Sequence, residues 1–178
     1  MINIEENIFF FLNNFAGEYF LLDVFLYFFA TFFPYILLFF VLFLLLRNFK
    51  KYLFFVIETI VAGFVARYVM VSALRYFFPR SRPFYQLENI NFLLEQKESI
   101  SFPSGHTAFV FAISAVIYFY NRKLGVFLFI LSFLMGLSRI IAGMHWPTDI
   151  LGGIVVGVLS GVIVSEIFLL FRKNLTKK

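Results

Sequence analysis

The chain has 178 residues, of which 62% are hydrophobic and 14% are charged, and its formal net charge is +5. Soluble domains are about 45–50% apolar and about 25% charged. A domain of this size leaves much of its surface wet, so it has no interior for thirty phenylalanines. A water-soluble fold is therefore excluded. The absence of cysteine excludes disulfides, thiolate metal sites and cysteine nucleophiles.

Apolar runs predict where the chain crosses a membrane, because about twenty apolar residues span a bilayer core of about 30 Å. Residues 1–23 alternate apolar and polar side chains and are predicted to lie in the membrane interface. No repeat or linker divides the chain. We therefore predict an all-α, polytopic transmembrane bundle of about five to six helices in a single domain, 1–178, with spans at 24–46, 52–78, 104–120, 124–138 and 147–171.

The basic residues lie between the apolar runs instead of in one patch, which argues against a nucleic-acid partner and indicates topology. If the spans alternate, one side of the membrane carries Arg47, Lys50, Lys51, Arg122, Lys123, Arg172, Lys173, Lys177 and Lys178. The positive-inside rule makes that side cytoplasmic. The segments 79–102 and 139–147 then face outward, and any site that they form lies at the outer face.

Three polar clusters fall at the outward ends of predicted spans, and together they include both histidines of the chain. Guanidinium groups match phosphate oxygens with paired hydrogen bonds. A helix that starts at Ser104 and Gly105 presents free N–H groups to an anion. The clusters therefore predict one phosphate site, formed by Arg75, Arg82, Ser104, Gly105, His106, Arg139, His145 and Asp149.

The two histidines suggest how such a site works. Asp149 follows His145 by four residues and can hold one imidazole nitrogen, which leaves the other free to attack phosphorus. Asp149 would also be favoured in the first turn of a helix by the helix dipole alone. His106 can protonate the leaving oxygen as general acid. Because no carboxylate cluster accompanies the histidines, we expect neither a two-metal site nor a cofactor.

These residues resemble a known signature. Arg75-x6-Arg82-Pro83, Pro103-Ser104-Gly105-His106 and Ser138-Arg139-x5-His145-x3-Asp149 are similar to the three-part motif of the type-2 phosphatidic acid phosphatase superfamily. The one departure is Arg75, where that family usually has lysine. The signature region spans 75–149. The resemblance implies a metal-free membrane phosphatase with His145 as nucleophile, Asp149 as its partner, His106 as proton donor and the other five residues as a phosphate cradle.

The family also includes soluble haloperoxidases, and the membrane composition argues against that branch. The resemblance, the outward site and the short chain favour undecaprenyl diphosphate as substrate, in carrier-lipid recycling at a bacterial plasma or inner membrane. A phosphatase of phosphatidylglycerophosphate, phosphatidate or lipid A is the alternative, because the signature reads the phosphate and not the tail. A transporter with an anion path of arginines and histidines is the non-enzymatic alternative.

Other polar residues fall within spans or beside the signature. For Glu58, Arg67 and Glu166 we predict a structural role, in a buried ion pair or a polar seam between helices. Arg80 is expected to touch substrate or headgroups, and Trp146 to anchor the chain at the interface. The loop 84–102 mixes apolar and polar residues, which suggests either a flap that admits a lipid sideways or a solvated connector.

Overall fold

The computed structural model describes residues 4–94 and 99–175 of the chain. The elements follow one another as α1 (Ile4–Asn13), α2 (Phe20–Arg47), α3 (Phe49–Phe64), a π-helical segment (Val65–Met70), α4 (Val71–Phe77), α5 (Pro83–Gln86), α6 (Gly105–Tyr120), α7 (Arg122–Ile141) and α8 (Pro147–Leu175). An isolated antiparallel bridge joins Ser81 to Ile100. The predicted all-α helical class is confirmed.

Four helices of the described chain are long and apolar enough to cross a membrane: α2, the continuous helix Phe49–Phe77 that contains α3, the π-helical segment and α4, then α7 and α8. α6 is also apolar, but its 16 residues extend only about 24 Å at about 1.5 Å per residue. The protein is thus an integral membrane bundle of four to five spans. These helices coincide with the five predicted runs.

Helix ends differ from the predicted ends by a few residues. α2 begins at Phe20, inside the segment that was predicted to be interfacial, and Asp23 lies in its first turn. A carboxylate is favoured there by the helix dipole, and Asp23 Oδ1 accepts a hydrogen bond from Gly17 N at 2.9 Å. Asn48 and Asn121 separate successive helices, and each caps the next one by accepting from a backbone N–H at 3.1 Å.

α6 lies at the centre of the bundle, and eleven of its residues are buried. It packs closely on α8 because glycines line the contact. A Cβ at Gly157 would lie 2.5 Å from the carbonyl oxygen of Ala108, and one at Gly161 would lie 2.7 Å from Cβ of Ala115. Small residues of this kind allow helices to pack closely in lipid. The close contact fixes the N-terminus of α6 relative to the start of α8, where the candidate site lies.

α1 has ten residues, too few to cross a bilayer core on its own. Phe9 and Asn13 are buried. The Asn13 amide donates to the carbonyl oxygens of Asn91 at 2.7 Å and Ile141 at 2.8 Å, and its oxygen accepts from Asn91 N at 2.8 Å. α1 is therefore attached to the loop after α5 and to the end of α7. Its placement in the membrane interface stays a prediction.

A polar cluster joins α3, α6 and α8 at the end of the bundle opposite the candidate site. Glu58, 3% exposed, forms an ion pair with Arg172 at 3.1 Å and accepts hydrogen bonds from Tyr120 at 2.6 Å and Ser165 at 2.8 Å. The predicted buried ion pair therefore exists for Glu58. Glu166 is exposed at the edge of the same cluster, and Arg67 lines the candidate site instead. Their structural role stays a prediction.

Candidate active site

His145 and Asp149 form a buried pair where the chain enters α8. His145 follows the turn after α7, and Asp149 lies one turn further on, within α8. Asp149 Oδ2 lies 3.3 Å from His145 Nδ1 and accepts from Ser101 Oγ at 2.7 Å and from Trp146 N at 2.8 Å. Three contacts to one oxygen hold the carboxylate, and with it the imidazole, in a single orientation. The spacing-based expectation for this pair matches the geometry.

Arg82 determines which nitrogen of His145 carries the proton. Its Nη1 lies 3.2 Å from His145 Nε2 and donates to the carbonyl oxygen of Met144 at 2.9 Å. A guanidinium only donates hydrogen bonds, so Nε2 accepts and the imidazole proton sits on Nδ1, toward Asp149. Burial lowers the pKa of His145 well below its ordinary value, and the charges of Arg82, Arg139 and Arg75 lower it further. His145 therefore presents a lone pair.

His145 and Arg82 both line a cavity of about 200 Å³. The lining comes from the π-helical segment, α4, the following loop, the first turn of α6 and the turn before α8. Among the residues that the structure describes, it contains three arginines and both histidines and no acidic side chain: Arg67, Tyr68, Val71, Ser72, Arg75, Arg82, Gly105, His106 and His145. Such a concentration of positive charge near a membrane-spanning segment is costly unless an anion compensates it. The cavity is therefore suited to an anion of phosphate size.

The start of α6 supplies another part of the cavity wall. Ser104 N donates to the carbonyl oxygen of Asp149 at 3.0 Å, and Ser104 Oγ accepts from Thr107 Oγ1 at 3.0 Å. Ser104 is completely buried, so it anchors the turn instead of lining the cavity. Gly105 and half-buried His106 lie on the cavity wall. The free N–H groups of this helix start add to the positive field.

Arg139 was predicted to belong to the phosphate cradle, but it is not among the residues that line the cavity. It is buried, and its Nη1 donates to the carbonyl oxygen of Ala30 at 2.6 Å. Ala30 precedes Pro34 by four residues within α2, and proline has no N–H to donate to that oxygen. Arg139 therefore satisfies a carbonyl that proline leaves open. It contributes to the site through its charge beside His145.

Arg80 contacts the residues around Asp149 from outside the cavity. Its guanidinium donates to Glu5 of α1 at 2.5 Å and to Thr148 Oγ1 at 2.6 Å, and it lies 3.6 Å from Asp149 Oδ1. The same group stacks 4.9 Å above the ring of Trp146. Trp146 is 2% exposed and donates to the carbonyl oxygen of Ser81 at 3.1 Å. The prediction of an interfacial tryptophan was therefore wrong.

A second cavity of about 240 Å³ adjoins the first. Arg67, Tyr68 and His106 belong to both linings. The rest of the second lining is apolar apart from one tyrosine hydroxyl, and it comes from α2, α3 and α6: Pro34, Tyr35, Leu38, Ile60, Phe64 and Phe109. An apolar groove thus leads from the basic cavity to the flank of the bundle.

Comparison with known proteins agrees with this geometry. A family model described as the PAP2 superfamily matches residues 52–173. The bacitracin transport permease protein BcrC of Bacillus licheniformis is 36% identical over 164 residues, which cover 92% of this chain and 79% of that protein. The undecaprenyl-diphosphatase BcrC of Bacillus subtilis strain 168 is 39% identical over 123 residues, which cover 69% and 58%. The crystal structure of LpxE from Aquifex aeolicus matches with a TM-score of 0.78 and 33% identity, over 93% of this chain and 96% of that one.

The chain belongs to the PAP2 superfamily. It is therefore a lipid phosphatase, and the family resemblance found in the signature is confirmed. The match leaves α1 and α2 outside its range. Some contacts around the site of this PAP2 phosphatase therefore come from beyond the matched region, among them Glu5 to Arg80 and Ala30 to Arg139. Sequence reasoning missed Ser101, Glu5 and Arg67. Only Arg67 carried a signal, as a charge inside an apolar span.

Proposed function

We propose that this PAP2 phosphatase removes the terminal phosphate of a lipid diphosphate through a phosphohistidine intermediate, with undecaprenyl diphosphate as the favoured substrate. The observation that carries the mechanism is the orientation of His145: Nδ1 lies against Asp149, and Nε2 lies against Arg82, which lines the basic cavity together with His145. The name of the Bacillus subtilis relative, undecaprenyl-diphosphatase, supports the substrate. The apolar groove beside the cavity is suited to a hydrocarbon tail.

In the first step, Nε2 of His145 attacks the terminal phosphorus, and a P–N bond forms while the bond to the bridging oxygen breaks. His106 gives that oxygen a proton, so the lipid monophosphate leaves. Asp149 stabilises the positive charge that develops on the imidazole. In the second step, water attacks the phosphohistidine, His106 takes a proton from the water, and inorganic phosphate is released with the P–N electrons returning to Nε2.

The cradle stabilises charge on the transferred group. Arg75 and Arg82 border the cavity beside His145, and Gly105, the first residue of α6, borders it too. Such donors stabilise a metaphosphate-like transition state through position and charge, without forming bonds to phosphorus. Arg139 adds its positive field from behind the cavity. Arginine at position 75 supplies a planar pair of donors where lysine would supply one point charge.

The distribution of lysine and arginine supports an orientation with this site on the outer side of a bacterial plasma or inner membrane, because the basic connections of the other side would be cytoplasmic. There the enzyme would return undecaprenyl phosphate to the carrier cycle of cell-wall synthesis. Phosphatidylglycerophosphate, phosphatidate and lipid A remain the alternative substrates, because the residues of the cavity contact phosphate and not the tail.

The test uses the purified full-length chain in detergent with a chelator present, and measures phosphate release from undecaprenyl diphosphate, phosphatidylglycerophosphate, phosphatidate and lipid A. We expect the highest kcat/KM on undecaprenyl diphosphate. His145→Ala should lower it at least about 10³-fold, as loss of a nucleophile does. Lys123→Ala, exposed at the opposite end of the bundle, is the matched control and should keep full activity.

The intermediate has its own measurement. Substrate labelled in the terminal phosphate, quenched in alkali where phosphohistidine survives, should label the wild-type chain and leave His145→Ala unlabelled. Full activity of His145→Ala would overturn the nucleophile assignment. Strong inhibition by chelator would overturn the metal-free mechanism. Lipid flux in vesicles without any hydrolysis would favour the transport activity that the name of the Bacillus licheniformis relative describes.

A further inference from the structure

Arg67 is a charged residue inside a membrane span. Among the residues that the structure describes, none supplies a negative charge that pairs with it. It is half-buried in the π-helical segment. Its guanidinium lies 5.5 Å from the ring centre of Tyr68, and within the ranges 4–94 and 99–175 it makes no hydrogen bond or ion pair. Glu58 lies in the same span, but its carboxylate forms an ion pair with Arg172. A charge at such a position is costly, so an anion from outside the protein is the natural partner.

The position of Arg67 tells which part of a substrate it meets. The carbon chain of Arg67 and the guanidinium of Arg75 both lie beside Gly105 on the cavity wall. A Cβ added to Gly105 would lie 3.7 Å from Arg67 Cγ and 4.0 Å from Arg75 Nη2. Arg75 lies two helical turns further along the same continuous helix. Arg67 itself lies within the π-helical segment, a feature that often occurs at functional sites.

Arg67 also lies between the two cavities. His145 and Arg82 line only the basic cavity, whereas Arg67 and His106 line the basic cavity and the apolar groove. Attack by His145 puts the transferred phosphate beside Arg82, and proton donation puts the bridging oxygen beside His106. The group attached to that oxygen therefore lies next to Arg67, with the hydrocarbon tail beyond it in the groove.

We propose that Arg67 forms a second phosphate subsite, which binds the phosphate proximal to the tail and makes the enzyme selective for lipid diphosphates over lipid monophosphates. This inference rests on the proposed function and specifies its substrate class. When the P–O bond to the bridging oxygen breaks, negative charge grows on the departing lipid monophosphate, and the guanidinium of Arg67 stabilises it. A lipid monophosphate releases an alcohol instead, which gives Arg67 no anion to bind.

The experiment compares farnesyl diphosphate with farnesyl monophosphate, which share one tail, on the purified full-length chain. We expect wild type to prefer the diphosphate. Arg67→Gln should lower the ratio of the two kcat/KM values about 30-fold, the equivalent of about 2 kcal/mol for a lost charged hydrogen bond. Arg67→Lys keeps the positive charge and loses the paired donors of the guanidinium, so it should give an intermediate ratio. Arg172→Gln removes an arginine from the opposite end of the bundle and should leave the ratio unchanged.

A second measurement covers the case in which Arg67→Gln does not fold. Inorganic pyrophosphate and inorganic phosphate are compared as competitive inhibitors of wild type and Arg67→Lys, and only inhibition by pyrophosphate should weaken. Equal losses on both lipids, or an unchanged inhibitor ratio, would overturn the second subsite while leaving the phosphatase mechanism intact. Hydrolysis of neither lipid by wild type would instead overturn the proposed function itself.

Discussion

At the scale of single residues, the site depends on the contacts of one imidazole. Arg82 lies against the nitrogen that must attack, and Asp149 lies against the other. The guanidinium disfavours protonation of His145 and so keeps the lone pair of Nε2 available. The same guanidinium is positioned to bind the phosphate that this lone pair attacks. One arginine therefore prepares the nucleophile before substrate arrives and stabilises charge afterwards.

The pH dependence of catalysis tests this arrangement. His145 must be neutral to attack, and its pKa is lowered by burial first and by the charge of Arg82 next. The acid limb of kcat/KM for wild type should therefore lie below about pH 6.5, the ordinary value for histidine. Removing the charge with Arg82→Gln should move that limb to higher pH, because a neighbouring positive charge disfavours the imidazolium. A pH profile measured with undecaprenyl diphosphate checks both expectations, and Lys123→Ala should keep the wild-type limb.

What could be predicted at this scale depended on sequence distance. The pairing of His145 with Asp149 followed from a spacing of four residues, which the geometry of one helical turn makes meaningful. Ser101 also holds Asp149 Oδ2, yet it lies 48 positions away and has no local signal. The bond from Arg139 to Ala30 joins α7 to α2. The proline that leaves that carbonyl open was visible, but its partner depended on tertiary packing.

At the scale of elements, the contact between α6 and α8 determines the geometry of the site, because Ser104 to His106 start one helix and Asp149 lies in the first turn of the other. The axes of α6 and α8 approach closely at the glycines of α8. Ala108 O and Phe111 Cβ would lie 2.5 Å and 2.7 Å from a Cβ on Gly157. Backbone and a Cβ atom cannot move aside as the end of a long side chain can, so any added atom separates the helices.

Gly157→Ala should therefore lower the free energy of unfolding by about 1–3 kcal/mol, the usual cost of overpacking a tight contact. Activity should fall too, because separation of α6 from α8 moves His106 away from His145. Thermal unfolding of the purified protein in detergent, followed by its single tryptophan, measures the first effect. Leu159→Ala, on the exposed face of the same helix, is the control. Equal stability of Gly157→Ala and wild type would contradict the role of this contact.

The elements themselves were largely predictable, because lipid requires long apolar helices and apolar runs are visible in sequence. Two features were not. The π-helical turn at Val65–Met70 has no distinct composition, since its residues suit an ordinary α-helix equally well. The loop after α5 was predicted as a flap or a solvated connector. In the structure, the described part of this loop is hydrogen-bonded to Asn13 of α1. Residues 95–98 lie outside the described ranges. The admission of lipid by this loop therefore stays a prediction.

At the scale of the whole molecule, α1 is connected to the chemistry although it lies outside the family match. Glu5 accepts from Arg80 at 2.5 Å and from Thr148 N at 3.1 Å, and Arg80 lies 3.6 Å from Asp149 Oδ1. Burial would raise the pKa of Glu5, but hydrogen bonds from Arg80 and Thr148 outweigh it, so the pKa is lowered from 4.5. The stability that Glu5 gains from Arg80 and Thr148 is therefore fully present above about pH 4.5 and is lost only as the pH falls through the lowered pKa that Glu5 has in the folded protein.

Glu5 should act on catalysis by sharing the charge of Arg80 with Asp149, because the guanidinium lies 2.5 Å from Glu5 and 3.6 Å from Asp149 Oδ1. In Glu5→Gln the guanidinium loses its nearer counter-charge and can pair more closely with Asp149, where it competes with the imidazolium that forms during attack. We expect kcat to fall about tenfold, the effect of about 1.4 kcal/mol, while KM changes little because no phosphate contact is lost. In an Arg80→Gln background the same Glu5→Gln change should have almost no further effect, because the competing charge is absent.

A double-mutant cycle on kcat therefore measures a coupling between α1 and the catalytic pair. Asn7→Ala, on the exposed face of α1, controls for general disturbance of the helix and should behave as wild type. If Glu5 only fastens α1 to the bundle, the non-additivity should appear in the free energy of unfolding and leave kcat additive, because the fastening contact is itself the ion pair between Glu5 and Arg80. Non-additive losses in kcat, with KM preserved, would make the N-terminal helix part of the apparatus that positions Asp149 and, through it, the attacking nitrogen of His145.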